Sequence, residues 1–183
     1  MKTTAQLLTV LIISACAIRS RADQVPFAIV HGPKAAFNIA APEGWVIDNT
    51  AGEESGLPCV LYRKGATWET ADPLMYAKIA STSYENAEAF AKTAIEEMTK
   101  QRGQYKTKRV ESGQTKGGQT WFVNEYSPNK TYPRLERVAY IQLPKAVAYI
   151  VYSADSEAVF RKHRPALKQL LESFSYLEPR QSE

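Results

Sequence analysis

Two cysteines and two histidines are the side chains in these 183 residues best suited to nucleophilic or metal chemistry, and their spacing supports neither. His31 stands alone in the N-terminal part, and His163 lies among Arg161, Lys162 and Arg164, where neighbouring cations oppose metal binding. No HExxH or paired CxxC spacing occurs. Gly52-Glu53-Glu54-Ser55-Gly56 lacks the spacing of a nucleophile elbow, and the Gly113–Gly118 stretch reads as a hairpin turn rather than a phosphate loop. Cys59, in Pro58-Cys59-Val60-Leu61-Tyr62, has apolar neighbours and reads as a buried strand thiol. The expectation is therefore a non-enzyme with no metal and no cofactor.

Cys16 has a different context. Lys2 precedes the apolar run Leu7–Ile13, which matches the n- and h-regions of a secretory signal and is too short to span a bilayer. Ile13-Ser14-Ala15-Cys16 resembles a bacterial lipobox, in which the cysteine is acylated and becomes the mature N-terminus. Two or three acyl chains would anchor it stably, since each buried CH₂ contributes about 0.8 kcal/mol. Small residues also permit cleavage after Ala17 or after Ala22, and these alternatives stay open. The expected location is periplasmic or membrane-anchored through Cys16, alternatively secreted. In every case Cys59 is left without an intramolecular disulfide partner.

The net charge of +4 owes much to the leader region, 1–22. A chain starting at Asp23 keeps 20 basic residues against 19 acidic ones, and one starting at Cys16 keeps 22. Clusters at Lys100, Arg102, Lys106, Lys108, Arg109 and at Arg161, Lys162, Arg164, Lys168 read as solvated faces, without the interleaved aromatics of a single-strand binder. No nucleic-acid partner is expected. Asn129-Lys130-Thr131 matches a glycosylation acceptor, but a bacterial leader would make it idle and it carries no functional weight.

Residues 23–183 suffice for a single domain. Short apolar runs separated by turn residues predict strands at 36–40, 45–48, 59–62, 75–81, 105–111, 119–126, 135–143 and 146–153. Their short links imply antiparallel pairing. In the last run, Ala146, Ala148, Ile150 and Tyr152 face one way and Val147, Tyr149 and Val151 the other, so cover is needed on both faces of the sheet. A helix over 84–101, with the apolar stripe Phe90, Ile95, Met98 and a capping box at Thr82–Glu85, would cover one. A second helix from Asp155 to Phe174, restarted at Pro165, would cover the other through Leu167, Leu170 and Phe174. The fold class is α+β: an antiparallel sheet with helices on its faces.

"FNIAAPEGWVID" and "YIVYSADSEAVFRKHRPALKQLLESFSYL" resemble the opening and closing landmarks of the PsbP-like superfamily, over about residues 35–177. That superfamily includes PsbP, DcrB-type periplasmic lipoproteins and a Ran-binding import factor. The resemblance implies an α/β/α sandwich and an accessory or binding role, often at a membrane. It supplies no catalytic residue. The leading expectation is a non-enzymatic, exported binding module of the cell envelope with an envelope protein as partner. A soluble carrier of a small apolar ligand and an envelope hydrolase are the alternatives. Trp68, in the loop segment "RKGATWETADPL", is the one residue expected to touch a partner.

Overall fold

The computed structural model describes residues 25–178. The leader, with Cys16 and all three candidate cleavage sites, lies outside them. Ten strands and three helices follow in order: β1 (Phe27–His31), β2 (Ala36–Ala40), β3 (Trp45–Asp48), β4 (Val60–Arg63), β5 (Leu74–Ile79), α1 (Ala87–Arg102), β6 (Thr107–Gln114), β7 (Thr120–Tyr126), β8 (Leu135–Gln142), β9 (Val147–Ala154), α2 (Glu157–His163), α3 (Pro165–Ser173) and β10 (Ser175–Leu177).

Seven strands form one sheet in the order β3-β4-β5-β9-β8-β7-β6, each pair antiparallel. The two apolar faces of β9 explain its layers. Ala148, Ile150 and Tyr152 point into the larger core with α2, α3 and β2, while Val147 and Val151 join Tyr140, Phe122 and Ala91 beneath α1. Sheet faces alternate with period two, so a strand apolar on both sides must be sandwiched.

Beyond this arrangement, a second sheet lies over the larger core. β1, β2 and β10 pair antiparallel in the order β1-β2-β10, bringing the first and last described strands together. Val30, Phe37 and Ile39 from this sheet are fully buried. Phe174 closes the layer by stacking on Phe37 with ring centroids 4.7 Å apart.

Pro165 opens α3 at its first turn, where the missing N–H costs nothing, and so divides the last helical segment as expected. The start of α1 differs from the expected Thr82–Glu85 box. Asn86 is the cap, its side chain accepting from the Ala89 N–H at 2.8 Å, while Gln142 Oε1 accepts from the Ala87 N–H at 2.7 Å. Two of the first-turn donors are thereby satisfied, one of them from the end of β8. Gly103, at φ 84°, ends the helix in a conformation that a side chain would strain.

Candidate functional site

α1 does not seal the sheet beneath it. Ala87 and Ala91 at its start are buried, but Phe90, Ile95 and Met98 are only half-buried. The small residues of the N-terminal half lie close to β8, and Phe90, Ala94 and Met98 face β5 and β9 across open space. The result is a cleft of about 270 Å³ between the helix and the sheet.

Its floor is tyrosine-rich. Tyr76 from β5 and Tyr149 from β9 meet edge to face at 6.5 Å, and Phe90 leans over Tyr149 at 5.2 Å and Tyr140 at 5.8 Å. Tyr84, in the segment leading to α1, packs on Phe90 at 4.8 Å. Ala94 and Met98 line the helical wall, and Lys78 and Glu97 supply charge to the lining. Aromatic rings with one polar tip make such a surface apolar in the middle and hydrogen-bonding at its edges.

Burial raises the phenol pKa of Tyr76, Tyr149 and Tyr140, so these hydroxyls stay protonated at neutral pH. The Tyr140 and Tyr126 hydroxyls bond to each other at 2.6 Å deep behind the cleft. Beyond them, Glu136 on β8 is almost fully buried, yet it accepts from Tyr132 Oη at 2.6 Å and pairs with Arg102 at 3.3 Å. Arg102 in turn lies 3.9 Å over the Tyr132 ring. Burial, then the Glu136 charge, pushes Tyr132 up to about 12. This cluster locks the C-terminal end of α1 against β8. The cleft therefore has fixed walls at both ends.

The other residues singled out by sequence take separate places. Cys59 is fully buried just before β4, and burial with the Asp48 charge pushes its thiol up to about 12. It is an inert core group. His31 is exposed at the end of β1. His163 ends α2 edge-on to Trp45 at 6.4 Å, with its pKa lowered by burial and then by Arg63 and Lys162. Among the described residues, no three His, Cys, Asp or Glu side chains are placed to hold a metal ion, and no helix is long and apolar enough to cross a membrane.

Trp68 begins a one-turn 3₁₀ helix, Trp68–Thr70, and is half-buried, away from the aromatic cleft. Three of the clustered basic residues are engaged within the chain: Arg102 as above; Arg109, which grips Glu88 through two bonds of 2.7 Å and lies 3.8 Å over Phe122; and Arg161, which pairs with Glu157 at 2.6 Å. Asn129 is occupied too, donating to the Arg102 and Gln104 carbonyls and accepting from the Thr131 and Tyr132 N–H groups.

Sequence reasoning missed the cleft because its tyrosines come from strands far apart in the chain. A weaker signal was present in the charged pair Glu136-Arg137 inside the apolar strand "LERVAYIQL", which marks buried, partnered charge.

No family model and no curated protein sequence matches the chain. Among solved structures it is similar to LpqN of Mycobacterium tuberculosis, described as involved in cell envelope biogenesis, with a TM-score of 0.54 and 14% identity over 86% of this chain and 93% of that one. It is also similar to cyanobacterial PsbP (CyanoP) from Synechocystis sp. PCC 6803, with a TM-score of 0.49 and 14% identity over 77% of this chain and 86% of that one. At such identity the likeness is one of fold. The architecture is the antiparallel sheet between helices that the sequence landmarks imply.

Proposed function

We propose that this chain is a non-catalytic accessory module of the bacterial cell envelope, exported and tethered through acylated Cys16, that holds an apolar group in the cleft between α1 and the sheet. The observation that carries this reading is the half-open aromatic cleft itself. A helix packed only for stability would bury Phe90, Ile95 and Met98, whereas here they stay half-exposed above Tyr76 and Tyr149. The fold likeness to LpqN, and the lipobox around Cys16, support an envelope setting.

Among the described residues neither imidazole hydrogen-bonds to a serine or a carboxylate, and the cleft itself contains no histidine. Its lining offers neutral phenols, one lysine and one glutamate, which suit orientation of a ligand better than proton transfer.

The cleft is tested with an apolar fluorescent probe, 1-anilinonaphthalene-8-sulfonate. The folded wild-type chain is expected to bind it at a single saturable site, and Ala94→Phe, which fills the cleft from the helical wall, is expected to remove that binding with the thermal midpoint preserved. Unchanged binding in the variant would locate the apolar site elsewhere and refute the proposal.

Trp68 is proposed as a separate contact for a protein partner. Its half-burial leaves part of the indole available. Trp68→Ala should weaken capture of envelope partners and leave stability nearly unchanged. A loss of about 3–5 kcal/mol, as for emptying a core site, would make the indole structural instead.

A further inference from the structure

The large apolar side chains left exposed among the described residues all belong to one short stretch: Val25 (61%), Phe27 (64%) and Ile29 (39%). Phe27 and Ile29 alternate with the buried Ala28 and Val30, so they share the outer face of the small sheet, and Val25 stands just before the strand. Cross-strand register widens that face. Phe27 lies opposite Ala40 and Ile29 opposite Asn38, while Leu177 lies opposite Ala36. Scattered exposed apolar residues need no explanation, but a contiguous stripe on an edge strand is a hazard unless something covers it.

Two facts identify the cover. The first is the tether, since the span from Cys16 to Val25 is only nine residue steps. Fully extended, they reach about 30 Å, so an acylated Cys16 holds β1 within roughly one domain diameter of the bilayer. The second is charge. Lys34 and Lys145 line an open cleft of about 800 Å³ beside Leu177 at one end of this face, with Glu178 the acidic residue in that lining. Lys34 also donates to Ser83 Oγ at 2.6 Å, which fixes its position there. Arg19 and Arg21 lie in the tether itself. An apolar stripe bordered by cations matches the boundary between acyl chains and anionic headgroups.

We infer that the outer face of the β1-β2-β10 sheet docks on the bilayer surface, with Phe27 and Ile29 inserted at the headgroup boundary, so that the domain is held in one orientation rather than swinging on its anchor. The inference rests on the tethered reading above for its geometry, and its test separates the two. The acylated full chain carrying Phe27→Trp is reconstituted in vesicles of phosphatidylethanolamine and phosphatidylglycerol whose acyl chains are brominated. The added indole is expected to lose fluorescence relative to wild type, whose Trp45, Trp68 and Trp121 serve as background.

The unacylated Cys16→Ala chain should still sediment with these vesicles, more weakly, and Phe27→Glu should reduce that residual binding by about tenfold or more, as expected for losing the insertion of one aromatic ring. Acylation without quenching of the new indole would overturn the docking while leaving the anchor intact. Quenching and sedimentation without any palmitate incorporation would leave the docking standing and remove the anchor. A concentration-dependent dimer abolished by Phe27→Glu, with no quenching in vesicles, would assign the stripe to a second copy and overturn the inference.

Discussion

Replacing Phe174 with alanine is expected to lower stability by about 3–5 kcal/mol, the range for truncating a fully packed aromatic. Phe174 is 2% exposed and stacks on Phe37 at an interplanar angle of 24°, where α3 hands over to β10. Its removal opens a cavity between the last helix and the small sheet, and leaves the short β10 held mainly by its three-residue pairing with β2. Few side chains can shift inward to refill the space, because Phe37, Leu170 and Ile39 are already fully buried in sheet and helix. Urea denaturation gives the loss, read as a lower midpoint with unchanged slope. A loss under about 1 kcal/mol would mean that the small sheet is held by contacts other than this pair.

Arg137→Met is expected to cost about 2–3 kcal/mol, through charge rather than packing. Arg137 sits on β8 with 8% exposure, donating from Nε to Glu125 at 2.8 Å and from Nη1 to Glu111 at 2.9 Å. Glu125 is its register partner on β7, and Glu111 belongs to β6, so one guanidinium fastens three strands at the open edge of the main sheet. The Met variant keeps the apolar stem but leaves two carboxylates facing each other. Because their side chains retain 35% and 41% exposure, water screens part of that repulsion, and the full cost of an orphaned buried charge is not reached. Adding Glu125→Gln to Arg137→Met should restore part of the loss in a double-mutant cycle. Strict additivity would show that the bonds contribute nothing through charge.

The parts of this fold legible in the sequence were those set by local periodicity and turn chemistry. Pro42-Glu43-Gly44 separates β2 from β3 as read, with Gly44 at φ 73°, and the two-faced pattern of β9 correctly required cover on both sides. β1 was missed because "FAIVH" is apolar at nearly every position, so its alternation appears only once Ala28 and Val30 are seen buried and Phe27 and Ile29 exposed. β10, three residues long, exists through pairing with β2, more than a hundred residues away. The helix cap was misplaced because Thr82 and Asn86 both offer a capping side chain, and Gln142 reaching the Ala87 N–H favours the second. The cleft joins Tyr76, Tyr140 and Tyr149 from three strands with Phe90 from a helix, and no local pattern records such a meeting.

Native mass spectrometry of the full mature chain, extracted from its own envelope without denaturation, tests the central claim most directly. The account predicts a chain beginning at acylated Cys16 that carries a non-covalent apolar ligand, and loss of that ligand in Ala94→Phe with the acyl mass unchanged. A mature chain beginning at Ile18 or Asp23 with no acyl mass would contradict the tether. A ligand-free wild-type chain, or a ligand retained equally by Ala94→Phe, would contradict the cleft as its binding site.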